Sequence, residues 1–358
     1  AAAAERAGPL RRMEFGIYTF VDHTPDPVTG ERIPAEQRHR NLLEEAMLAD
    51  RLGLDVFGIG EHHRPDFIAS APSVLLAAIA ARTQRIRLTS AVTVLSSEDP
   101  VRVFQQYATL DLLSNGRAEI MAGRGSFTES FPLFGYDLKD YDALYAEKLA
   151  MLLELRRAER LTWKGTFTPT ITDRGVYPRP IQDPLPVWVA VGGTPESVVR
   201  AATLGLPLTL AIIGGEPARF KPFTDLYKQV WARTGHDPAG LQLGIGSHSF
   251  IADTFAEAAE LMWPRYELVM GRIGRERGWG PVGRPQFDFE VSPNGAMLLG
   301  DPETVARKMI REHQLFGFTR FCLQFSVGSV PHDRMLRCIE LYATRVVPMV
   351  KEAIGAGN

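Results

Sequence analysis

The sequence predicts a (β/α)8 barrel, and three observations carry that expectation. Eight short apolar segments, rich in branched and aromatic residues, are spread along the chain. Most are continuous rather than alternating, as strands buried on both faces are. Helical stretches separate them, which is the grammar of parallel βα units. One signature also recurs three times, in ADRLGLDVFGIG (49–60), AATLGLPLTLAIIGG (201–215) and HQLFGFTRFCLQFSVG (313–328). Each has a helical end, a glycine, an apolar residue and a short apolar strand. Gly53, Gly205 and Gly317 fit the left-handed position that closes a helix.

The strands expected in order are 13–20, 55–60, 86–94, 117–123, 185–193, 207–215, 241–252 and 319–328. Between the first two, residues 34–52 place Leu42, Leu43, Ala46, Met47 and Ala49 on one helical face. Residues 71–83 are small and apolar nearly all round, which predicts a helix buried in the fold or at a subunit contact. The helix at 99–117 opens with Asp99 as cap and Pro100 at its first position, and stops at Asn115-Gly116. The helix at 301–317 opens the same way with Asp301 and Pro302. A last helix, 331–347, meets Pro348, which should bend or end it.

A barrel of this kind needs about 250 residues, and the excess falls in three places. Residues 125–146 form an aromatic loop, and residues 160–184 look like a hairpin excursion with a proline-rich return. Residues 263–300, with GRERGWGPVGRP at their centre, read as a lid insertion, mobile or partly irregular. Residues 1–12 read as a disordered tail ahead of a single barrel domain, 13–358. An open doubly wound sheet is the competing architecture, but no dinucleotide-binding turn appears early in the chain.

With 40 basic and 42 acidic residues among 358, the net charge is −2. No basic patch dominates, so neither a nucleic acid nor an anionic membrane is expected as a partner. Cys322 and Cys338 form no CxxC pair and no zinc spacing, which suits two reduced thiols and a cytoplasmic protein. No apolar run approaches the ~20 residues of a spanning helix. AAAAERAGPLRR has no long apolar centre, so a secretory leader is not expected.

In a barrel, chemistry sits at the C-terminal ends of the strands. Here those ends are small and polar, which lets backbone approach a flat ligand closely. AVGGTPES (190–197) ends a strand at Gly192-Gly193 and starts a helix with Thr194 and Pro195. The free N–H groups of such a start either bind a phosphate or belong to an ordinary capped turn. In AGRGSF (122–127), Arg124 either contacts an anion or makes a salt bridge at the rim. In TSAVTV (89–94), Ser90 and Ala91 are small residues where a strand leaves the barrel.

In GEHH, alternation along a strand end sends Glu61 and His63 one way and His62 another. A histidine suits proton transfer near neutrality. A metal site would need further converging ligands, with His23, His248 and His332 the available ones. A histidine bonded to a backbone carbonyl is the plain alternative.

Taken together, EHH after the second strand, TSAVTVLSSEDPVRVFQQYATLDLLSNGR (89–117), AGRGSFTESFPLFG (122–135) and PVWVAVGGTPESVVRAATLGLPL (186–208) resemble the luciferase-like flavin-dependent oxidoreductases, the bacterial luciferase superfamily. The resemblance runs from about Met13 to Met349. It implies a (β/α)8 barrel with FMN at the strand C-termini. It implies His62 as the acid–base residue, with Glu61 its neighbour at the flavin site. It implies a non-prolyl cis peptide at Ser90-Ala91 against the flavin ring, Arg124 as a phosphate contact, and Gly192, Gly193 and Thr194 at the phosphate loop. Gly123 stands where luciferase has a reactive cysteine, so light emission is not implied. The phosphate loop is also more glycine-rich than luciferase's.

The implied activity is a two-component FMN monooxygenase. A separate flavin reductase would supply reduced FMN, and one atom of O2 would pass to a small organic substrate. A water-excluding lid at 263–300 fits that chemistry, with 125–146 on the opposite rim and Phe127, Phe131, Phe134 and Trp279 as an apolar wall. Other readings are a deazaflavin-dependent hydride-transfer enzyme, a non-catalytic flavin-binding protein, and a metal-dependent hydrolase using Glu61, His62 and His63. The resemblance also implies a homodimer packed through 71–83 and 99–114.

Overall fold

A computed structural model describes residues 12–355. The tail expected at 1–12 lies outside the described residues except for Arg12, which pairs with Asp55 at 3.3 Å. Twelve strands follow in order: β1 (Glu14–Thr19), β2 (Val56–Ile59), β3 (Arg87–Ser90), β4 (Thr93–Val94), β5 (Ala118–Gly123), β6 (Arg160–Trp163), β7 (Ile171–Gly175), β8 (Val187–Val191), β9 (Leu208–Ala211), β10 (Leu243–Ile251), β11 (Leu298–Gly300) and β12 (Arg320–Gln324). Twelve α-helices accompany them: α1 (Ala35–Arg51), α2 (Pro72–Ala80), α3 (Pro100–Leu113), α4 (Ser130–Phe134), α5 (Tyr141–Arg157), α6 (Pro195–Thr203), α7 (Lys221–Arg233), α8 (Phe255–Arg277), α9 (Arg284–Val291), α10 (Pro302–Phe316), α11 (His332–Leu341) and α12 (Val347–Gly355).

Eight strands pair in parallel in the order β1-β2-β3-β5-β8-β9-β10-β12, and β12 pairs back onto β1. The protein is a closed (β/α)8 barrel, and its eight strands are the eight apolar segments of the sequence. Every residue of β2, β5, β10 and β12 is buried, so these strands read as continuous apolar or small-residue runs. The repeated signature has the predicted geometry: Gly53, Gly205 and Gly317 take φ of 84°, 67° and 63°. Asp99 caps α3 by accepting the Val101 and Arg102 N–H groups, and Asp301 caps α10 by accepting that of Thr304.

The structure alters three local expectations. The third strand is split into β3 and β4, and the peptide Ala91–Val92 between them is cis. The cis bond therefore lies one residue beyond Ser90-Ala91. The segment 263–300 is mostly helical, comprising the larger part of α8, all of α9 and β11. Thr254 caps α8 by accepting the Glu257 N–H, and Gly278 ends it at φ 72°. Gly274 is buried inside the helix beside Trp279, so not every glycine of this segment marks a turn. Finally, Pro348 lies inside α12, and a π-helical turn, Tyr342–Val346, joins α11 to α12 ahead of it. The expected hairpin excursion is present as the antiparallel pair β6–β7.

The N-terminal end of the barrel is closed by charge. Arg320 of β12 bonds Glu119 of β5 across the interior at 2.7 and 3.0 Å, reaches Glu14 of β1 at 3.1 Å, and lies 4.1 Å from the Trp188 ring centre of β8. The C-terminal end stays open, and the site lies there.

Candidate active site

A cavity of about 660 Å3 opens at the C-terminal ends of the strands. Glu61, His62, Ala91, Arg124 and Gly192 line it, so the strand-end motifs do converge.

The GEHH turn follows β2. Its backbone is held on both sides, Glu61 N–H donating to Val92 O at 2.9 Å and His62 N–H to Ala69 O at 3.2 Å. Alternation then separates the side chains as expected. Glu61 accepts from Val94 N–H at 3.1 Å and lies 2.7 Å from His63 Nε2. That hydrogen bond holds His63 above its ordinary value against the opposing effect of burial. Glu98 stands beside this pair, where burial and then the Glu61 charge push it up to about 7. His62 points the other way, into the cavity, with ring centres of Phe20, Phe67 and Phe127 at 4.2, 4.7 and 5.4 Å. Burial, then the charges of His63 and Arg64, push its imidazole down to about 3. His62 is therefore neutral at physiological pH, unlike a free histidine.

His23 Nε2 lies 2.7 Å from Ile33 O, and His332 Nε2 lies 2.6 Å from Glu44. Among the described residues no group of three or more His, Cys, Asp or Glu side chains is placed to hold a metal ion.

Ser90 departs from its expected place. Its hydroxyl donates to Met121 O at 3.2 Å and accepts from Met121 N–H and Thr93 Oγ1 at 3.1 and 2.8 Å. It pins β3 to β5 and does not line the cavity. Ala91 and Val92, on either side of the cis bond, do. Gly123 faces them, and a Cβ there would meet Val92 at 2.8 Å. Glycine at this position thus makes room for the bend that follows β3.

Arg124 and the 192–197 turn are brought together, although 70 residues separate them. Arg124 donates to Ser197 Oγ at 3.3 Å and Thr194 Oγ1 at 3.5 Å, pairs with Asp142, and lies 5.4 Å from the Tyr141 ring centre. Thr194 is the N-cap of α6, but its hydroxyl donates to Ser197 at 2.7 Å and caps no backbone N–H. The first-turn N–H groups of α6 thus have no side-chain cap. Gly193 has φ 134°, and a Cβ on Gly192 would meet no atom within 4 Å. A guanidinium, two hydroxyls, uncapped amides and an open glycine edge together suit a phosphate. Ser197, Tyr141 and Asp142 escaped the sequence reading. Ser197 had a signal, its position three residues past the cap.

The aromatic wall is partly as expected. Phe127 and Trp279 line the cavity; Phe131 is fully buried against Tyr141, and Phe134 packs on His63. From the other rim, α8 crosses over the site. Arg272 bonds Asp66 at 2.7 Å, Glu276 bonds Arg64 at 2.7 and 2.9 Å, and Arg277 donates to Ser126 O at 2.9 Å.

A family model described as luciferase-like monooxygenase matches residues 13–320. The chain belongs to that family. It is 32% identical to the N-acetyl-S-alkylcysteine monooxygenase of Bacillus subtilis, over 79% of this chain and 85% of that one. It is also 32% identical to the F420-dependent glucose-6-phosphate dehydrogenase of Amycolatopsis mediterranei, over 46% of this chain and 51% of that one. This chain therefore spans about half of the second relative. Among solved structures, the monooxygenase RslO1 from Streptomyces bottropensis superposes with a TM-score of 0.79 at 26% identity, covering 94% of this chain and 99% of that chain. The protein is thus a luciferase-like flavin-dependent enzyme.

Proposed function

We propose that this luciferase-like enzyme is the oxygenase of a two-component FMN monooxygenase, acting on a small organic substrate in the cytoplasm. The observation that carries the reading is the Arg124–Thr194–Ser197 cluster at the uncapped start of α6, on the edge of a cavity large enough for a flavin and a substrate. Those residues hold the phosphate, and Ala91, Val92 and Gly123 form the surface against which a flat ring lies.

FMN held by Arg124, Thr194 and Ser197, and reduced by a separate flavin reductase, would supply the electrons for chemistry with O2. The chain's own residues do the rest. His62, neutral and boxed by aromatic rings, holds or hands over a proton at a ring nitrogen facing the cavity. Glu61 fixes the turn that aims it, through Val94 and His63. Phe20, Phe67, Phe127 and the α8 crossing exclude water, which protects reactive oxygen chemistry from hydrolysis and stray protons. Helix α8 serves as the lid.

The test is a binding titration with reduced and oxidised FMN, then addition of O2. Arg124→Ala should weaken FMN by about tenfold or more while leaving riboflavin within about twofold, since a charge-assisted phosphate bond is lost. Equal losses for both flavins would sink the phosphate assignment. The dehydrogenase relative motivates a second reading, hydride transfer with a deazaflavin. Deazaflavin binding in preference to FMN, without O2 consumption, would select it.

We also propose a homodimer through α2 and α3. These helices leave Val74, Leu112 and Leu113 67%, 45% and 63% exposed on neighbouring surfaces. A monomeric mass by light scattering would overturn this.

A further inference from the structure

Four formally charged side chains line the cavity: Asp22, Glu61, Arg124 and Arg277. Three have strong partners. Asp22 accepts from Ser326 Oγ and Gly328 N–H, each at 2.9 Å. Glu61 is held by His63 and Val94, and Arg124 faces Asp142 and the α6 hydroxyls. Arg277 differs. Its only hydrogen bond among the described residues runs from Nη2 to Ser126 O at 2.9 Å. The adjacent acid, Glu276, is bidentate on Arg64. The Arg277 guanidinium instead rests between two rings, 5.4 Å from the Phe127 centre and 5.6 Å from the Trp279 centre. Aromatic faces on such a cation hold its plane without neutralising it.

The helix gives that cation a context. Val269, Met270, Ile273 and Arg277 all line the cavity, at three- and four-residue steps along one face of α8. The lid thus presents an apolar stripe that ends, at the rim, in a guanidinium with donors to spare. Elsewhere the cavity offers an anion little. His62 and His248 are both neutral, burial pushing His248 down to about 4. Arg124 is committed to Asp142 and the hydroxyls at the start of α6.

We propose that Arg277 is a specificity-determining residue, and that the substrate is an organic carboxylate whose apolar body lies along Val269, Met270 and Ile273. This rests on the flavin-enzyme reading above. The planar fork of arginine matches a carboxylate in a way a point charge does not. Stacking between Phe127 and Trp279 orients the fork before the substrate arrives, which reduces the ordering cost of binding.

The experiment uses the full chain loaded with FMN, at fixed ionic strength. Wild type, Arg277→Gln and Arg277→Lys are titrated calorimetrically with 4-phenylbutyrate and with its primary amide. The acid should bind wild type about tenfold tighter than the amide, as expected for one charge-assisted pair. Arg277→Gln should erase that preference while changing amide affinity by less than about twofold, and Arg277→Lys should restore part of it. Equal affinities in wild type, an acid preference that survives Arg277→Gln, or binding of neither ligand overturns the proposal. FMN and riboflavin affinities are measured on the same samples. If Arg277→Gln weakens FMN but not riboflavin, the anion is the flavin phosphate and the proposal is overturned. Failure of wild type to bind FMN sinks the flavin reading and this inference together; FMN binding without an acid preference sinks this inference alone.

Discussion

His62 and Glu98 divide between them what a sequence reader assigns to one histidine. His62 reaches the cavity but is neutral down to about pH 3, because three aromatic rings desolvate it. Glu98, not singled out by any motif, is the group pushed up to about 7, by burial and then by Glu61. An inflection of turnover near pH 7 is therefore expected from Glu98, whereas Asp22, which also lines the cavity, is pushed by burial to only about 6. His62→Asn should lower turnover by about 100-fold, keep FMN affinity, and leave that inflection in place. Glu98→Gln should remove the inflection. A pH–rate profile of both variants decides it; an inflection that vanishes with His62 would return the titration to the histidine. The opposed directions of Glu61 and His62 were legible from strand alternation. Their protonation was not, since it depends on Phe20, Phe67, Phe127 and Glu98, which converge from distant parts of the chain.

At the scale of elements, caps and stops were the most legible features. Asp99, Asp301 and the three left-handed glycines act within a few residues of themselves, so their chemistry is local. Segment 263–300 was expected to be mobile or partly irregular because its glycines read as turns, yet it is mostly helical. Gly278 turns the chain at φ 72° while Gly274 stays helical, and only the folded helix shows which. Helix α10 carries a liability of the same hidden kind. Glu312 is 3% exposed, and neither carboxylate oxygen has a hydrogen-bond partner among the described residues. Burial pushes it up to about 8, with Lys308 and Arg311 opposing. A raised carboxyl favours the protonated fold. Its contribution is therefore complete below the ordinary value of 4.5 and is lost as pH rises through about 8. Glu312→Gln should remove this alkaline loss, raising stability at pH 9 by on the order of 2 kcal/mol and changing little at pH 5. Denaturant midpoints at the two pH values measure it. Equal effects at both would show that the carboxyl is not the titrating group.

Across the whole molecule, the N-terminal end of the barrel is tied by a charge network joining strands 201 and 306 residues apart. Burial raises Glu119, but Arg320 and then Arg87 outweigh it and hold it at about 2. The stabilisation is present above the ordinary value of 4.5 and is lost as pH falls toward 2. Arg320→Met strands buried Glu119 without its main partner and should cost about 3–5 kcal/mol at pH 7. An unchanged urea midpoint would show the network to be neutral.

By itself the sequence determined the eight strands, their parallel order with helices between, the helix ends and the residues at the strand tips. Each of these follows from periodicity, local backbone sterics or alternation, which act over a few residues. Only the tertiary structure decided that Arg124 meets Thr194 and Ser197, that Ser90 faces β5 rather than the cavity, that His62 is neutral, and that Arg277 bonds Ser126 O and no carboxylate among the described residues. Those outcomes turn on desolvation and on charges approaching through space, and barrel closure, not chain distance, sets both.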